Sequence, residues 1–459
     1  MYLGLDLGTT NIKAVIADAR GQILSSSSAP VQLFTLENGR VEQDIDDIWA
    51  ASLAAISQLD TKRRNAVRAI GVSSQGGAMQ VLDQRDRPLG RVISWLDIRG
   101  QPFDQQITQK LGPELPRRSG HARSIMALGQ LLRLKSESPT LIQPPHHIGF
   151  VGDIIVGRLC GRRAHDGTSL SCAILYNPQT KTADPLMLDC AGIGREQLPD
   201  LLSVNQPAGT LQPEISHRLG LPEDIRVSPA LHDQYASALS LAATEPGDIM
   251  LGTGTAWVML AVSNQLMQPL AGVGFVCTHL VDGMFGQIVS LVNGGSATTW
   301  ATRLFNISDV DEALNSVPPG CDGVSCSPSF AQGTATFHGL GLAHGPAHML
   351  RAVIEGLCFE LARHLKLFAG AGVHAKRLVL CGGAASSRVT PQIIADVTNL
   401  PVACANESAT SALGAAVIAR GLTEPSRPLS QLAKEMHPDF RMITPGLNSK
   451  IYRSMAESL

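Results

Sequence analysis

The sequence predicts an α/β protein made of two related halves, and three observations carry that expectation. The chain has 459 residues, beyond the roughly 250–300 at which a single hydrophobic core stops growing. A strand, a Gly/Thr turn and a second strand open the chain, and the same plan returns around Asp248 to Val262. Strand and helix patterns alternate around both occurrences, as in α/β architectures. Length alone allows about three domains at ~150 residues each. The repeat instead favours a duplicated pair joined near Ser228, with halves 1–228 and 229–459.

The elements follow in order. Tyr2 to Leu5 reads as a strand, Asp6-Leu7-Gly8-Thr9-Thr10-Asn11 as a polar turn, and Ile12 to Ala17 as a second strand. Asp18-Ala19-Arg20-Gly21 signals another turn and Gln22 to Ser25 a third strand, so two hairpins open the chain. Asp44 to Leu59 reads as a helix, with Asp46 or Asp47 near its cap and Ile48, Leu53, Ala54 and Ile56 marking an apolar face. Val67 to Val72 is an apolar strand that ends in the loop Ser73-Ser74-Gln75-Gly76-Gly77. Met79 to Leu82 and Val92 to Trp95 continue in extended structure. Gln101 to Leu201 is helical and looped, with a helix over Ser124 to Leu134 capped by Ser124.

Val227 to Leu231 is a strand ended by His232-Asp233-Gln234, and Tyr235 to Ala243 a small-residue helix. Asp248 to Leu251, the turn Gly252-Thr253-Gly254-Thr255, and Ala256 to Val262 repeat the opening plan. Ala352 to Leu367 is a long amphipathic helix. Arg377 to Cys381 is a strand, Gly382-Gly383-Ala384-Ala385 a turn, and Val389 to Leu400 a helix. Ala412 to Gly421 is a second small-residue helix, and the chain from Leu422 onward is weakly patterned.

Composition excludes several classes of function. Apolar residues make up 44%, enough for a sizeable core, and disorder is excluded as a global description. Lys+Arg is 37 against Asp+Glu 39, a net charge of -2, so bulk charge offers nothing to a polyanion and no nucleic-acid partner is expected. Lys62-Arg63-Arg64 reads as a solvated turn. No stretch reaches ~18 apolar residues, so no membrane span is expected. The start, MYLGLDLGTTNIK, lacks a basic region and its apolar run is broken by Asp6, unlike a signal peptide. The nine cysteines are scattered, and the nearest pair, Cys321 and Cys326, lacks zinc-site spacing, so reduced buried thiols and a cytoplasmic location are expected.

Several segments could carry chemistry. In Asp6-Leu7-Gly8-Thr9-Thr10-Asn11-Ile12-Lys13 a strand delivers a carboxylate into a Gly/Thr turn. Gly8 lets backbone N–H groups approach an anion, the hydroxyls of Thr9 and Thr10 add donors, and Asp6 suits a divalent cation. Lys13 reads either as a phosphate contact or as a surface side chain. Gly252, Thr253, Gly254 and Thr255 form the second such turn, and two in corresponding places suggest phosphates held between hairpins. No Walker motif is present. Gly382, Gly383 and Ala384 lie between a strand and a helix, a context equally suited to a nucleotide or to close packing. Asp233 reads equally as a helix N-cap or as a base accepting a hydroxyl proton. Trp95, Asp97 and Arg99 read as a sugar-binding wall or as a structural salt bridge.

Taken together, these segments resemble the FGGY carbohydrate kinases, in order and across nearly the whole chain. Asp6-Leu7-Gly8-Thr9-Thr10 resembles the family's first phosphate motif, Glu42-Gln43-Asp44 with Trp49 its E-Q-D…W segment, and Trp95, Asp97 and Arg99 its W-x-D-x-R element. Asp166-Gly167-Thr168-Ser169 resembles its D-x-T/S segment, and His232-Asp233-Gln234 its catalytic-Asp loop. Gly252-Thr253-Gly254-Thr255 is similar to the second phosphate motif. His344-Gly345 with Arg351 to Gly356 is similar to a helix start near the nucleotide. Gly382-Gly383-Ala384 and Ala412 to Ala416 are similar to the adenosine segments.

The resemblance implies an actin-like, ribonuclease H-like duplicated fold with a central nucleotide cleft. It implies ATP and Mg²⁺ mostly against the C-terminal half and a small-molecule sugar mostly against the N-terminal half, with closure excluding water. It makes Asp233 the general base and Asp6 the metal-holding carboxylate. Gln75, Gly76, Gly77, Trp95, Asp97, Arg99, His232, Asp233 and Gln234 become the sugar side, and a homodimer is the oligomer it allows.

The departures bear on the substrate. Gln75 is followed by Gly76-Gly77 where xylulose kinases carry Met-His-Gly and glycerol kinases Arg-Glu, so the expected sugar-contacting His is missing and the glycines leave room or a looser contact. The G-E-R-x-P segment expected before Phe337 is absent, and Cys381 replaces a frequent Gly. The expected activity is an ATP-dependent ketose kinase, with xylulose, ribulose and sedoheptulose as candidates. The rivals are a polyol kinase of glycerol or erythritol type, a non-catalytic sugar or nucleotide sensor, and an actin-like or chaperone-type ATPase.

Overall fold

A computed structural model describes residues 1–270, 274–291 and 293–458 of the chain. The protein is α/β and divides into two compact units. The first comprises Met1–Thr244, Ala271–Gly286 and Ala409–His437; the second comprises Glu245–Leu270, Gln287–Ser408 and Pro438–Leu459. These units differ from the halves 1–228 and 229–459. The Asp233–Ser240 and Thr410–Thr423 helices both belong to the first unit, because their small faces pack on its sheet and on each other.

The first unit is organised around the strand Tyr2–Leu7. It pairs antiparallel with Asn11–Ala17, which pairs antiparallel with Ile23–Pro30. On its other side it pairs parallel with Ala69–Ser74, which pairs parallel with Arg226–His232, followed by Ala164–His165 and Asp200–Leu201. The central strands Tyr2–Leu7 and Ala69–Ser74 are buried along nearly their whole length because both faces are covered, whereas the edge strand Ile23–Pro30, rich in Ser, is largely exposed or half-buried. Leu3, Leu5, Ile12, Ile16, Ile70, Val72 and Val227 pack with Ile48 and Ile56 of helix Ile45–Ser57 and Ile154 of helix Val151–Cys160. The parallel strands all end on one edge of the sheet, where the residues after Leu7, Ser74 and His232 gather.

The Thr410–Thr423 helix lies so close to this sheet that contacts are backbone to backbone. A Cβ at Gly4 would overlap the Ala412 carbonyl, and one at Gly414 would overlap the carbonyl of Ala236. Gly414→Ala is therefore expected to lower the unfolding free energy by about 1–3 kcal/mol. Urea denaturation tests this against Gly90→Ala, where an added Cβ meets nothing. Equal midpoints for the two variants would contradict the close approach.

The second unit repeats the plan. Asp248–Thr253 pairs antiparallel with Trp257–Ser263 and parallel with Arg377–Gly382, which pairs parallel with Val402–Ala405. Phe440–Ile443 closes that edge antiparallel. The hairpin common to both units is the one the repeated Gly/Thr turns predicted, and in both it is followed on the far side by two parallel strands. The 25-residue helix Pro346–Gly370 buries Leu350, Val353, Leu357, Leu361 and Phe368. In it Arg351 and Glu355 form a buried pair at 2.7 Å, and both bond the Tyr452 hydroxyl.

Several local expectations are corrected. The opening strand runs to Leu7, so Asp6 lies within it rather than in the turn. Asp44 caps the Ile45–Ser57 helix by accepting from the Asp46 N–H, in place of Asp46 or Asp47. The helix expected over Ser124 to Leu134 spans Ala127–Glu137, because the Ser124 hydroxyl is committed to Asp104 at 2.5 Å. The weakly patterned end holds helix Leu429–Met436, strand Phe440–Ile443 and helix Ser449–Ser458. All nine cysteines are free thiols. Among the described residues no helix is long and apolar enough to cross a membrane.

Candidate active site

Two carboxylates meet at the C-terminal edge of the first unit's sheet. Asp6, near the end of its strand, accepts a 2.5 Å hydrogen bond from Ser73 Oγ on the neighbouring parallel strand. Burial pushes its carboxyl up to about 7, and the charge of Asp233 adds to the rise. Lys13 stands opposite Asp6 in the hairpin register and opposes that shift. Asp233 is the first residue of the Asp233–Ser240 helix, not its N-cap, which is His232. The capping reading of Asp233 therefore does not apply. Burial raises the Asp233 carboxyl to about 6 while Gln234 bonds to it and opposes the rise. Its side chain keeps 25% exposure, so the group is desolvated yet reachable. His232 Nε2 lies 3.5 Å from the Asp233 carboxylate, and burial lowers that imidazole to about 4, which keeps it neutral.

A ring of hydrogen bonds ties the Gly8-Thr9-Thr10 turn to the loop after Ser74. Trp95 Nε1 donates to Thr9 Oγ1 at 3.0 Å, and Thr9 Oγ1 donates to Gln75 Oε1 at 3.1 Å. Gln75 Nε2 donates to Gln43 Oε1 at 2.9 Å, and Gln43 Nε2 donates back to the Thr9 carbonyl at 2.8 Å. Each amide spends one donor and its acceptor, so both are held in one orientation. The indole of Trp95, 40% exposed, forms an apolar wall beside this ring.

The W-x-D-x-R segment is split by the structure. Asp97 takes Arg99 through Nε and Nη2, the latter at 2.6 Å, and also accepts from the Val41 N–H and Gln130 Nε2. Arg99 also reaches Glu42 at 3.1 Å. Burial pushes the Asp97 carboxyl up, but the Arg99 bonds together with the Val41 N–H outweigh it and hold the carboxyl below the usual range. Asp97 and Arg99 are thus engaged with each other and with Glu42, which anchors the wall that carries Trp95.

The room that Gly76 and Gly77 leave is filled. A Cβ at Gly76 would run into the His232 imidazole and Cys172 Sγ, and one at Gly77 into Met126. Gly77 also has φ +75, a left-handed conformation that favours glycine. Residues that local sequence reading passed over complete this edge: Ser73, Met126 and Cys172. Gln43 carried a signal, since it sits in the E-Q-D segment.

In the second unit, Gly252 and Thr253 are the last residues of the strand Asp248–Thr253, so the turn to Trp257–Ser263 is shorter than the expected Gly252 to Thr255 and begins at Gly254; that strand pairs parallel with Arg377–Gly382. Thr253 Oγ1 donates to the Cys381 carbonyl at 2.6 Å and accepts from the Ala384 N–H at 3.0 Å. The two glycine-rich turns are therefore neighbours. Gly382 has φ +89 and lies against the Thr253 backbone, so only a residue without Cβ lets the turns approach. Gly254 and Thr255 remain exposed, and their carbonyls accept from the Gly295 and Ser296 N–H groups at 3.0 Å each. A Cβ at Gly254 would meet only the Ala256 carbonyl, at 3.9 Å.

Comparisons with known proteins agree with one another. Residues 1–240 match the model of the FGGY family of carbohydrate kinases, N-terminal domain, and residues 297–420 match its C-terminal domain. A probable L-xylulose kinase of Pasteurella multocida is 27% identical over 457 residues, covering 95% of this chain and 93% of that protein. The L-fuculokinase of Escherichia coli is 28% identical over 462 residues, covering 97% of both. The crystal structure of xylulose kinase from Rhodospirillum rubrum superposes with a TM-score of 0.91 at 23% identity, covering 100% of this chain and 97% of that one.

Proposed function

Because the chain belongs to the FGGY family of carbohydrate kinases, we propose that its sugar substrate is a ketose and that Asp233 is the general base. The protein is a sugar kinase that takes ATP as its phosphate donor. The observation that carries the base assignment is the placement of Asp233: desolvated, raised to about 6, and still 25% exposed at the sheet edge. A carboxylate with that pKa is mostly ionised at neutral pH and accepts a hydroxyl proton better than an ordinary Asp. The xylulose named in two of the similar proteins is a ketose, which supports the substrate class.

Asp6 fits a divalent cation, because a carboxylate so reluctant to ionise is stabilised by one. Mg²⁺ bound there would neutralise phosphate charge. In the first unit Gly8, Thr9, Thr10 and Lys13 would take phosphate oxygens. In the second unit Gly252, Thr253, Gly254 and Thr255 would do the same, with Gly382, Gly383 and Ala384 on the nucleotide side. Gln75, Gly76, Gly77, His232 and Gln234 would orient the sugar, with Trp95 as an apolar wall and Asp97 and Arg99 holding that wall. Catalysis would then come mainly from positioning and charge neutralisation.

The test is ADP release with Mg-ATP across D- and L-xylulose, D-ribulose, sedoheptulose, L-fuculose, glycerol, erythritol and gluconate. Release with one ketose well above the polyols is expected; selective release with a polyol would overturn the ketose assignment. The same assay gives a pH prediction. The base works ionised, so kcat is expected to plateau above pH ~7 and to fall towards tenfold per unit below about 6. A kcat that stays level from pH 8 down to 5 would contradict a base raised to about 6.

A further inference from the structure

The Asp166-Gly167-Thr168-Ser169 segment plays no part in the reading above, yet it is hydrogen-bonded to the strand that presents Asp233. It follows the Ala164–His165 strand, whose His165 registers with Ala230. Asp166 caps the short Gly167–Cys172 helix by accepting from the Ser169 N–H at 3.1 Å, which accounts for an Asp there. The cap does not account for Thr168.

Thr168, 1% exposed, donates its hydroxyl proton to Asp166 Oδ1 at 2.6 Å. With that proton committed, its oxygen is left to accept, and it accepts from the His232 backbone N–H at 3.0 Å. His232 is the last residue of its strand and adopts an extended backbone, φ -73 and ψ 135; Asp233 follows as the first helical residue. Two residues upstream the Ala230 carbonyl accepts from the Asp166 N–H at 2.9 Å and from Ser169 Oγ at 3.2 Å. The turn thus grips the strand on both sides of Leu231. The Gly167–Cys172 helix also places Cys172 Sγ against Gly76, so one element braces the sugar loop and the Asp233 strand together.

We propose that Thr168, held by Asp166, is a positioning residue that fixes the direction of Asp233 by clamping the backbone N–H of His232. The proposal rests on Asp233 as the base. A small rotation at His232 swings the first side chain of the next helix, and a misplacement of about 1 Å at a reacting group can cost on the order of 10²-fold in rate. An apolar side chain at 168 would leave a buried N–H without an acceptor, which the backbone relieves by moving.

The experiment compares full-length Thr168→Val, Thr168→Ser and Asp233→Asn with wild type, using Mg-ATP and D-xylulose or whichever ketose of the panel is turned over. Thr168→Val is expected to lower kcat by about 10–100-fold with KM for sugar and ATP within about threefold. Thr168→Ser, which keeps the hydroxyl, is expected to return kcat to within about threefold of wild type. The acid limb of the kcat–pH profile is expected to move in the Val variant and not in the Ser variant. The proposal is overturned if Thr168→Val keeps wild-type kcat, or if Val and Ser lose kcat alike in step with their thermal midpoints. Full turnover by Asp233→Asn would instead remove the base reading itself. An inactive Asp233→Asn beside a fully active Thr168→Val would remove only the clamp.

Discussion

Asp233→Asn is expected to lower kcat by about 10²–10⁴-fold, the usual contribution of a positioned base. The amide has nearly the same size and keeps the helix start, but it cannot accept the hydroxyl proton. Asp233 is the first residue of its helix, so losing its charge removes a favourable dipole contact of about 0.3–1 kcal/mol. Relief of a desolvated anion offsets that loss, because burial already disfavours the charged form. The thermal midpoint and the calorimetric affinity for ATP should therefore stay close to wild type while sugar-stimulated ADP release disappears. Retained turnover within tenfold of wild type would show that another group accepts the proton.

Asp6→Asn has the second largest expected effect, and it acts in opposite directions on activity and stability. Without the carboxylate, kcat is expected to fall about 10²-fold or more, with a higher Mg²⁺ requirement. Stability follows from the raised pKa. The folded carboxyl titrates at about 7, above its unfolded value of 3.8, so the folded state binds protons more tightly between those limits. The stabilisation that gives is complete below pH ~4 and lost as pH rises through about 7. An Asn cannot ionise, so the variant should melt about 2–4 °C above wild type at pH 8 without Mg²⁺, with the gap closing at pH 4. Differential scanning calorimetry at the two pH values tests this. A variant that melts lower than wild type at pH 8 would mean that the Ser73 hydrogen bond outweighs the buried charge.

Much of the architecture was legible in the chain because it depends on local pattern. The two hairpins needed only glycine, threonine and flanking apolar runs to be read, although their turns are tighter than the motifs, Gly8 to Thr10 and Gly254 to Ala256. Helix limits were less legible. Ser124 has the chemistry of a cap, but its hydroxyl is taken by Asp104, twenty residues away in sequence. The W-x-D-x-R element shows the same limit within one segment. Trp95 turns to Thr9 and stays exposed, whereas Asp97 and Arg99 turn to each other and to Glu42. Spacing along an irregular stretch does not say which side chains share a direction.

What the sequence determined by itself is the class of the protein and the residue types from which its candidate site is built. Two Gly/Thr turns, an Asp at the end of the first strand and an Asp after a later strand are features of residue type and order. What only the tertiary structure decided is how those groups are set against one another. Asp6 and Asp233 lie 227 positions apart in the chain, yet one raises the pKa of the other. Gly76 leaves room by residue type, yet the His232 ring and Cys172 Sγ occupy that space. Thr168 gained its role only when the sheet brought it to the N–H of His232. The reason is physical. Composition and periodicity act over a few residues, while burial, charge coupling and hydrogen-bond satisfaction depend on neighbours that the sheet supplies from distant parts of the chain.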